Sequence, residues 1–565
     1  MERIRRICRG MTRRKFLGTG LVALLLFLVL IPLYRQAIMC NDELLSRYWS
    51  MKGFDQFYRY FWDDLVGRGR ALSAGVIPIT MYLGFLGSGN GTFKIAQILS
   101  ILLDVSLFML LLDKLFHDRK FAVVCGLSIV TFLPVTFEHT APNAFNTLYN
   151  IPFSLLLISL VLFTEYLEKG GKKKLAFSML LLFINLTCYE SFVMFLPLYW
   201  GIAVGKVGLE KKKRLLKVCI CPAAAGALFL ILYVISGVLF PSRYPGNQIS
   251  GISVGKMLAI ISNLSVASFP GYYCFVPKYH YLADYYNCLG MAEYARILAV
   301  CFLFFVIAHR LLGHGTGKPM GTKSLFACLG MGALCIILPT LPLSVASMYQ
   351  QTVGTDSWIA VPTNWFCYFG ATFLCWLLVW QLAGRCRRKA VAFLTAAVAA
   401  IYLFPVQAMN DIFSHQQNQA FQRLIRIESL FSTELFRVLN GSTFYSTDCF
   451  ETVNALAIHD SYWNDYAAIW GLEINIANYE GGAADNRIYY DGEQFTVWYG
   501  SAACVITSRP EEGVGICQDG GEIGKEMQFA EMMEDSGFYE YYYRLVENGE
   551  LENCGREDFL KGGQH

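Results

Sequence analysis

The 30 residues LAFSMLLLFINLTCYESFVMFLPLYWGIAV (175–204) lie between two strongly basic links, LEKGGKKK (167–174) and KVGLEKKKRLLK (206–217). Links rich in Lys and Arg stay on the cytoplasmic side of a membrane, so the stretch between them must cross an even number of times. Thirty residues supply two helices of about 14 each, under the ~17 that a perpendicular span needs. They are therefore expected to meet as a hairpin inside a larger bundle. Its polar tip, Thr187-Cys188-Tyr189-Glu190-Ser191, then faces the outside.

The same parity extends in both directions. HRLLGHGTGKPMGTK (309–323) and GRCRRK (384–389) are basic links, and HDRK (117–120) is a third. Eleven apolar segments result, at about 16–36, 93–116, 120–137, 149–167, 175–188, 190–205, 217–240, 294–312, 323–342, 363–383 and 389–408. An odd number puts the N-terminus inside and the C-terminus outside. MERIRRICRGMTRRK carries seven basic residues against one acid, and the apolar run behind it has no small-residue cleavage site, so it reads as an uncleaved anchor with 1–15 cytoplasmic. The external segments are then 37–92, 138–148, 241–293 and 343–362. Within the first, Ala74 to Leu86 is too short to span and reads as a helix lying in the interface.

Composition agrees: 55% of residues are hydrophobic and 16% charged, where an ordinary soluble domain has about 25% charged. The net charge of +4 is concentrated in the cytoplasmic links, with no face suited to nucleic acid. The polar tail 409–565 opens with an amphipathic helix, about Ile412 to Leu439, stopped by Asn440-Gly441. β-like runs follow at Glu473–Tyr479, Arg487–Tyr490, Thr496–Trp498 and Phe538–Arg544. The expected fold is thus an all-α polytopic bundle of about 11 spans at 16–408, with a small extracytoplasmic α+β domain at 409–565.

Eighteen cysteines lie mostly in apolar spans, where Cys is a small buried residue. Cys274 with Cys288 and Cys504 with Cys517 are open pairings. Asn90-Gly91-Thr92, Asn263-Leu264-Ser265 and Asn440-Gly441-Ser442 fit the glycosylation pattern on external segments. There is no CxxC pair, Walker A sequence or HExxH. These absences argue against a zinc module, an ATP-driven pump and a zinc protease. No cytoplasmic link is long enough for a nucleotide-sugar domain.

Asn41-Asp42-Glu43 follows the first span directly. Carboxylates at a membrane edge must be solvated, paired or used, and low-dielectric surroundings can raise their pKa toward that of a general base. The competing reading is an N-terminal cap for a helix starting near Leu44. Arg68, Arg70 and Arg243 are external guanidinium groups able to grip phosphate, or lipid headgroups. Tyr189 and Glu190 occupy the hairpin tip, where an unpaired carboxylate is costly. Glu138-His139 could ligate a metal or serve as an interfacial cap. Lys278 and His280 stand in PGYYCFVPKYHYLADYYNC, whose aromatic faces suit a sugar or a membrane interface. Tyr349-Gln350-Gln351 and Asp356-Ser357-Trp358 carry the same two readings.

After the acids come the aromatic-rich RYWSMKGFDQFYRYFWDDL (47–65), then Gly67-Arg68-Gly69-Arg70, then a span opening GTFKIAQILS (91–100). This order resembles the GT-C superfamily of membrane glycosyltransferases, particularly the bacterial GtrII-type glucosyltransferases. The resemblance implies that Asp42 is the catalytic acidic residue, with Glu43 beside it, and that the donor is a sugar on a polyprenyl phosphate. It implies Arg68 and Arg70, then Arg243, for the donor phosphate, and an acceptor-side or phosphate-side role for Tyr189 and Glu190. The tail beyond Asn410 has no required counterpart in such enzymes. An inverting transfer to a cell-envelope glycan or lipid at the outer face is the first reading. A polysaccharide or lipid transporter is the second, and a polymerase or ligase using diphosphate-linked oligosaccharides the third. No cofactor is implied, with a divalent cation left open; the partners are the lipid-linked sugar, its acceptor and membrane lipid.

Overall fold

The computed structural model describes residues 13–36, 41–85, 90–133, 135, 146–242, 244, 246, 248–249, 251–275, 286–315, 319–352, 363–431, 440–441, 443–446, 460–478, 486–490, 494–499, 502–509, 513–517, 542–545 and 551–554. The helices in chain order are α1 (Arg13–Arg35), α2 (Asn41–Met51), α3 (Phe54–Gly67), α4 (Ile77–Leu83), α5 (Asn90–Phe116), α6 (Arg119–Thr131), α7 (Asn146–Lys169), α8 (Lys172–Cys188) and α9 (Leu196–Val207). They continue with α10 (Lys212–Leu239), α11 (Val254–Ala267), α12 (Met291–Gly313), α13 (Thr322–Ile337), α14 (Leu341–Val345), α15 (Ser347–Thr352), α16 (Thr363–Arg385), α17 (Arg388–Leu430) and α18 (Asp460–Ile469). The chain divides into two compact units, Met1–Gln36 with Gly53–His415, and Ala37–Lys52 with Gln416–His565.

The first unit is a polytopic helical bundle. Among the described residues, eight segments are long and apolar enough to cross a membrane, from Gly18–Arg35 to Arg388–Asn418. Three other expected segments are helical but shorter: α6 has 13 residues, α8 17 and α9 12. At ~1.5 Å per residue, α6 and α9 fall well short of a ~30 Å hydrocarbon core. The stretch expected as a hairpin folds as α8, an extended Tyr189, a 3-10 turn Glu190–Phe195, and α9, and the two helices pack on α7 and α10 rather than mainly on each other. Between α7 and α8, Gly170 and Gly171 both take positive φ, 74° and 104°. That conformation is open to glycine at little cost, and it reverses the chain at the basic link.

Polar side chains stitch the helices where water is absent. Ser159 on α7 donates to the Ser178 carbonyl at 2.7 Å, Ser178 donates to the Ser159 carbonyl at 2.8 Å, and the Tyr199 hydroxyl is 2.6 Å from Ser159. Such reciprocal bonds require close backbones, hence small residues. Asn150 donates to Ser100 at 2.8 Å, while Ser154 (2.5 Å) and the Trp365 indole (3.2 Å) both donate to the buried Asp104. At the basic end, Glu165 is gripped by Lys114 (2.6 Å) and Lys174 (2.7 Å), and Glu168 by Lys206 (2.7 Å).

Helix α17 carries Gln407, Asn410, Asp411 and Ser414 on one buried face, as the spacing i, i+3, i+4, i+7 requires. Arg296 of α12 pairs with Asp411 at 2.5 Å and donates to Gln407 at 2.9 Å and to the Leu28 carbonyl at 2.9 Å. The Leu28 carbonyl is the one that Pro32, inside α1, cannot satisfy because proline lacks an N–H.

Three features depart from the sequence reading. Helix α11 lies in 241–293, where no helix is expected. The last span and the tail helix are one helix, α17, with no break near Asn410; residues 432–439 of the expected amphipathic helix lie outside the described residues. Cys274 and Cys288 are unbonded thiols.

Among its described residues the second unit contains α2, α18 and eight strands: β1 (Thr443–Ser446), β2 (Asn475–Asn478), β3 (Asn486–Tyr490), β4 (Gln494–Tyr499), β5 (Ala502–Arg509), β6 (Gly513–Cys517), β7 (Tyr542–Leu545) and β8 (Leu551–Cys554). They form one sheet in the order β2-β1-β3-β4-β5-β7-β8, with β6 also on β5. β1 is parallel to β2 and β3, and the other pairs are antiparallel.

Replacing Arg296 with Met should leave Asp411 as a buried charge and the Leu28 carbonyl without its donor. We expect a loss of about 3–5 kcal/mol, read as a lower thermal unfolding midpoint in detergent, with most of it restored in Arg296→Met/Asp411→Leu. A single variant as stable as the parent would refute this.

Candidate functional site

The loop after α3 is tight. Gly69 has φ +74°, and a Cβ placed there would sit 2.6 Å from the Ser242 Cβ and 3.2 Å from its Cα. Only a residue without a side chain lets the 68–70 turn rest against the segment after α10. The turn sends the two neighbouring arginines to different partners. Arg68 donates to Asp64 one helical turn back at 2.8 Å and lies over the Tyr244 ring, 5.2 Å from its centroid. Arg70 reaches the hairpin tip 120 residues away, its Nη2 donating to Glu190 Oε1 at 2.8 Å and its guanidinium 5.5 Å from the Tyr189 ring centroid.

Arg70 and Glu190 are both about one-fifth exposed, and they line a small cleft. Ser73 and Thr187 flank the pair, and Phe229, Tyr233 and Ser236 of α10 form the facing wall. Burial opposes the charge on Arg70, but the Glu190 carboxylate, with Tyr149, Tyr189 and Tyr244 behind it, more than offsets this and raises its pKa above the ordinary value. Burial pushes the Tyr189 phenol up to about 12, with the Glu190 charge adding to it. The Tyr349 phenol is also raised, first by burial and then by Tyr189 and Tyr244. Tyr149 meets Tyr189 edge to face at 4.9 Å. The result is an Arg–Glu pair among neutral phenols: a cation held ready for an anion, with hydroxyl groups able to hydrogen-bond a polyol.

Of the residues nominated by sequence, Arg70, Tyr189 and Glu190 come together here, while Arg68 turns to Asp64 and Tyr244. Asp42 and Glu43 lie in the first turn of α2, in the other compact unit. Glu43 is buried, and the Asp42 side chain lies outside the described residues. Glu138, His139, Arg243, Lys278, His280, Asp356 and Trp358 are likewise outside them. Gln350 serves the backbone, accepting from the Ser253 N–H at 3.1 Å and donating to the Ser344 carbonyl at 2.5 Å. Tyr149, Tyr233 and Ser236 were not nominated, because inside apolar runs they look like ordinary span residues. Among the described residues no group of three or more His, Cys, Asp or Glu could hold a metal ion.

A Gly69→Ala substitution should cost about 1–3 kcal/mol through positive φ and the clash, measured as a fall in thermal stability. Adding Ser242→Gly should recover the clash component but not the strain; a neutral Gly69→Ala would refute the tight-turn reading.

No protein-family model matches the sequence, and no curated protein matches it. A crystal structure of ArnT from Cupriavidus metallidurans in the apo state is similar over 84% of this chain and 87% of that one, at 13% sequence identity and a TM-score of 0.35. A likeness this distant assigns no family.

Proposed function

We propose that this chain is a membrane glycosyltransferase that moves a sugar from a polyprenyl-phosphate-linked donor to a cell-envelope glycan or lipid acceptor on the outer face. In this reading the acceptor hydroxyl attacks the anomeric carbon as a carboxylate, Asp42 with Glu43 beside it, takes its proton. The bond from the anomeric carbon to the phosphate oxygen breaks, and polyprenyl phosphate leaves with a second negative charge. Arg70 meets that growing charge, which a guanidinium does without risk of deprotonation. Glu190 holds Arg70 in place, and Arg68 and Arg243 are further phosphate contacts.

The observation that carries the reading is the Arg70–Glu190 pair at 2.8 Å, with the Tyr189 ring beside Arg70 and Tyr149 packed on Tyr189. It joins two segments that were nominated separately, one as a phosphate grip and one as a hairpin tip. Lys278, His280, Glu138 and His139 remain candidates for the sugar and acceptor side.

A transporter is the second reading, favoured by ionisable residues within spans, Asp104 and the Arg296–Asp411 pair. Against it, Arg296 is held by three partners at 2.5–2.9 Å, which suits a fixed joint better than a moving carrier site.

The test is mass analysis of envelope glycans with and without the protein, followed by transfer assays on purified variants. Asp42→Asn should lower kcat about 10²–10⁴-fold while the protein still inserts into the membrane, and Arg70→Ala should lower kcat/KM about 100-fold. Product formation undiminished in Asp42→Asn, or continued movement of lipid-linked sugar without transfer, would overturn the proposal.

A further inference from the structure

Helix α2 is only 11 residues long, too short to hold its shape unaided in water, yet it carries both acids nominated for catalysis. What holds it belongs to the C-terminal unit. Arg47 grips Glu428 of α17 through both nitrogens, Nη1 to Oε1 at 2.5 Å and Nη2 to Oε2 at 2.9 Å. The Glu428 side chain is 4% exposed and that of Arg47 15%, so the fork is well shielded from solvent. α2 packs against α18 in the same unit, and Phe431 meets Tyr466 of α18 edge to face at 5.4 Å. Leu44 and Tyr48, a further pair at i, i+4, are fully buried.

Arg47 lies four residues after Glu43, so the two share one face of α2, and Asp42 is the adjacent position. A two-point guanidinium–carboxylate contact fixes rotation as well as position. We infer that the C-terminal unit exists in part to set the acid-bearing helix, and that Arg47 and Glu428 are positioning residues for Asp42 and Glu43. The inference rests on the glycosyl-transfer reading and adds to it a task for the tail. Misplacing a reacting group by about 1 Å costs up to ~100-fold in rate, so a loosened α2 should slow the chemical step with little effect on donor binding.

The experiment compares Glu428→Gln, Arg47→Lys and the charge-reversed Arg47→Glu/Glu428→Arg in the full-length protein, with Asp42→Asn alongside. Thermal unfolding and size-exclusion profiles report the folded fraction, and rates are taken per folded molecule. Glu428→Gln and Arg47→Lys should each lower kcat about 10-fold or more, with KM for the lipid-linked donor within about twofold, and the reversed pair should recover much of that loss. If Asp42→Asn is inactive while Glu428→Gln and Arg47→Lys keep full kcat, the positioning role is wrong and the transfer reading stands. If the variants lose activity only in proportion to their folded fraction, the contact is merely structural. If Asp42→Asn is fully active, the transfer reading fails and the positioning role falls with it.

Discussion

A bilayer core offers no water to a backbone group that has lost its partner, and each unsatisfied group costs several kcal/mol there. The bundle meets that constraint at α17. Its buried polar face reaches four carbonyls: Gln407 donates to Thr131 at 2.8 Å, Asn410 to Leu133 at 3.1 Å, and Ser414 to Pro32 at 2.6 Å, while Arg296, held by Gln407 and Asp411, covers Leu28. Two of these carbonyls close the end of α6, and one is orphaned by a proline in α1. A short α6 is sustainable because its last carbonyls find amides on a neighbouring helix. The buried ion pair is thus part of a backbone repair, which explains why charge is tolerated at that depth.

The cleft rests on the opposite economy, in which charge is kept near neutrality beside an apolar wall. Arg68 is answered by Asp64 and Arg70 by Glu190. Neither pair is fully buried, so neither contributes much to stability; their value lies in orientation. Arg70 is placed by Gly69 from one side and by Glu190 from the other, with phenols that stay protonated around it.

Much of the bundle was legible because hydrophobic length and basic links are one-dimensional signals. The two short helices at 175–204 could be read from parity alone, and the turn between them supplied Tyr189 and Glu190. Arg70 could be nominated as a cation near a membrane edge. Its pairing with Glu190 could not, since 120 residues separate them and the glycine at 69 signals a turn without saying where the turn points. Helix α11 was missed because VGKMLAIISNLSVA is too short for a span and sits in a segment dominated by tyrosines. The unbroken α17 was missed because a fall in hydropathy near Asn410 looks like a boundary, although polar residues on one face leave a helix intact when partners await them. The union of α2 with the tail was also hidden, for Arg47 and Glu428 are 381 residues apart.

The wall of the cleft formed by Phe229, Tyr233 and Ser236 belongs to α10, whose other faces are largely unpacked: Ile231, Val234, Val238 and Leu239 are each more than half exposed. At 28 residues this helix exceeds the ~20 needed to cross, and a helix longer than its bilayer leans to hide the excess. Its lean is set by its packing on α8 and α9 and by the lysines and arginine of its first turns. One wall of the cleft therefore takes its angle from the two short helices that flank the Tyr189–Glu190 tip.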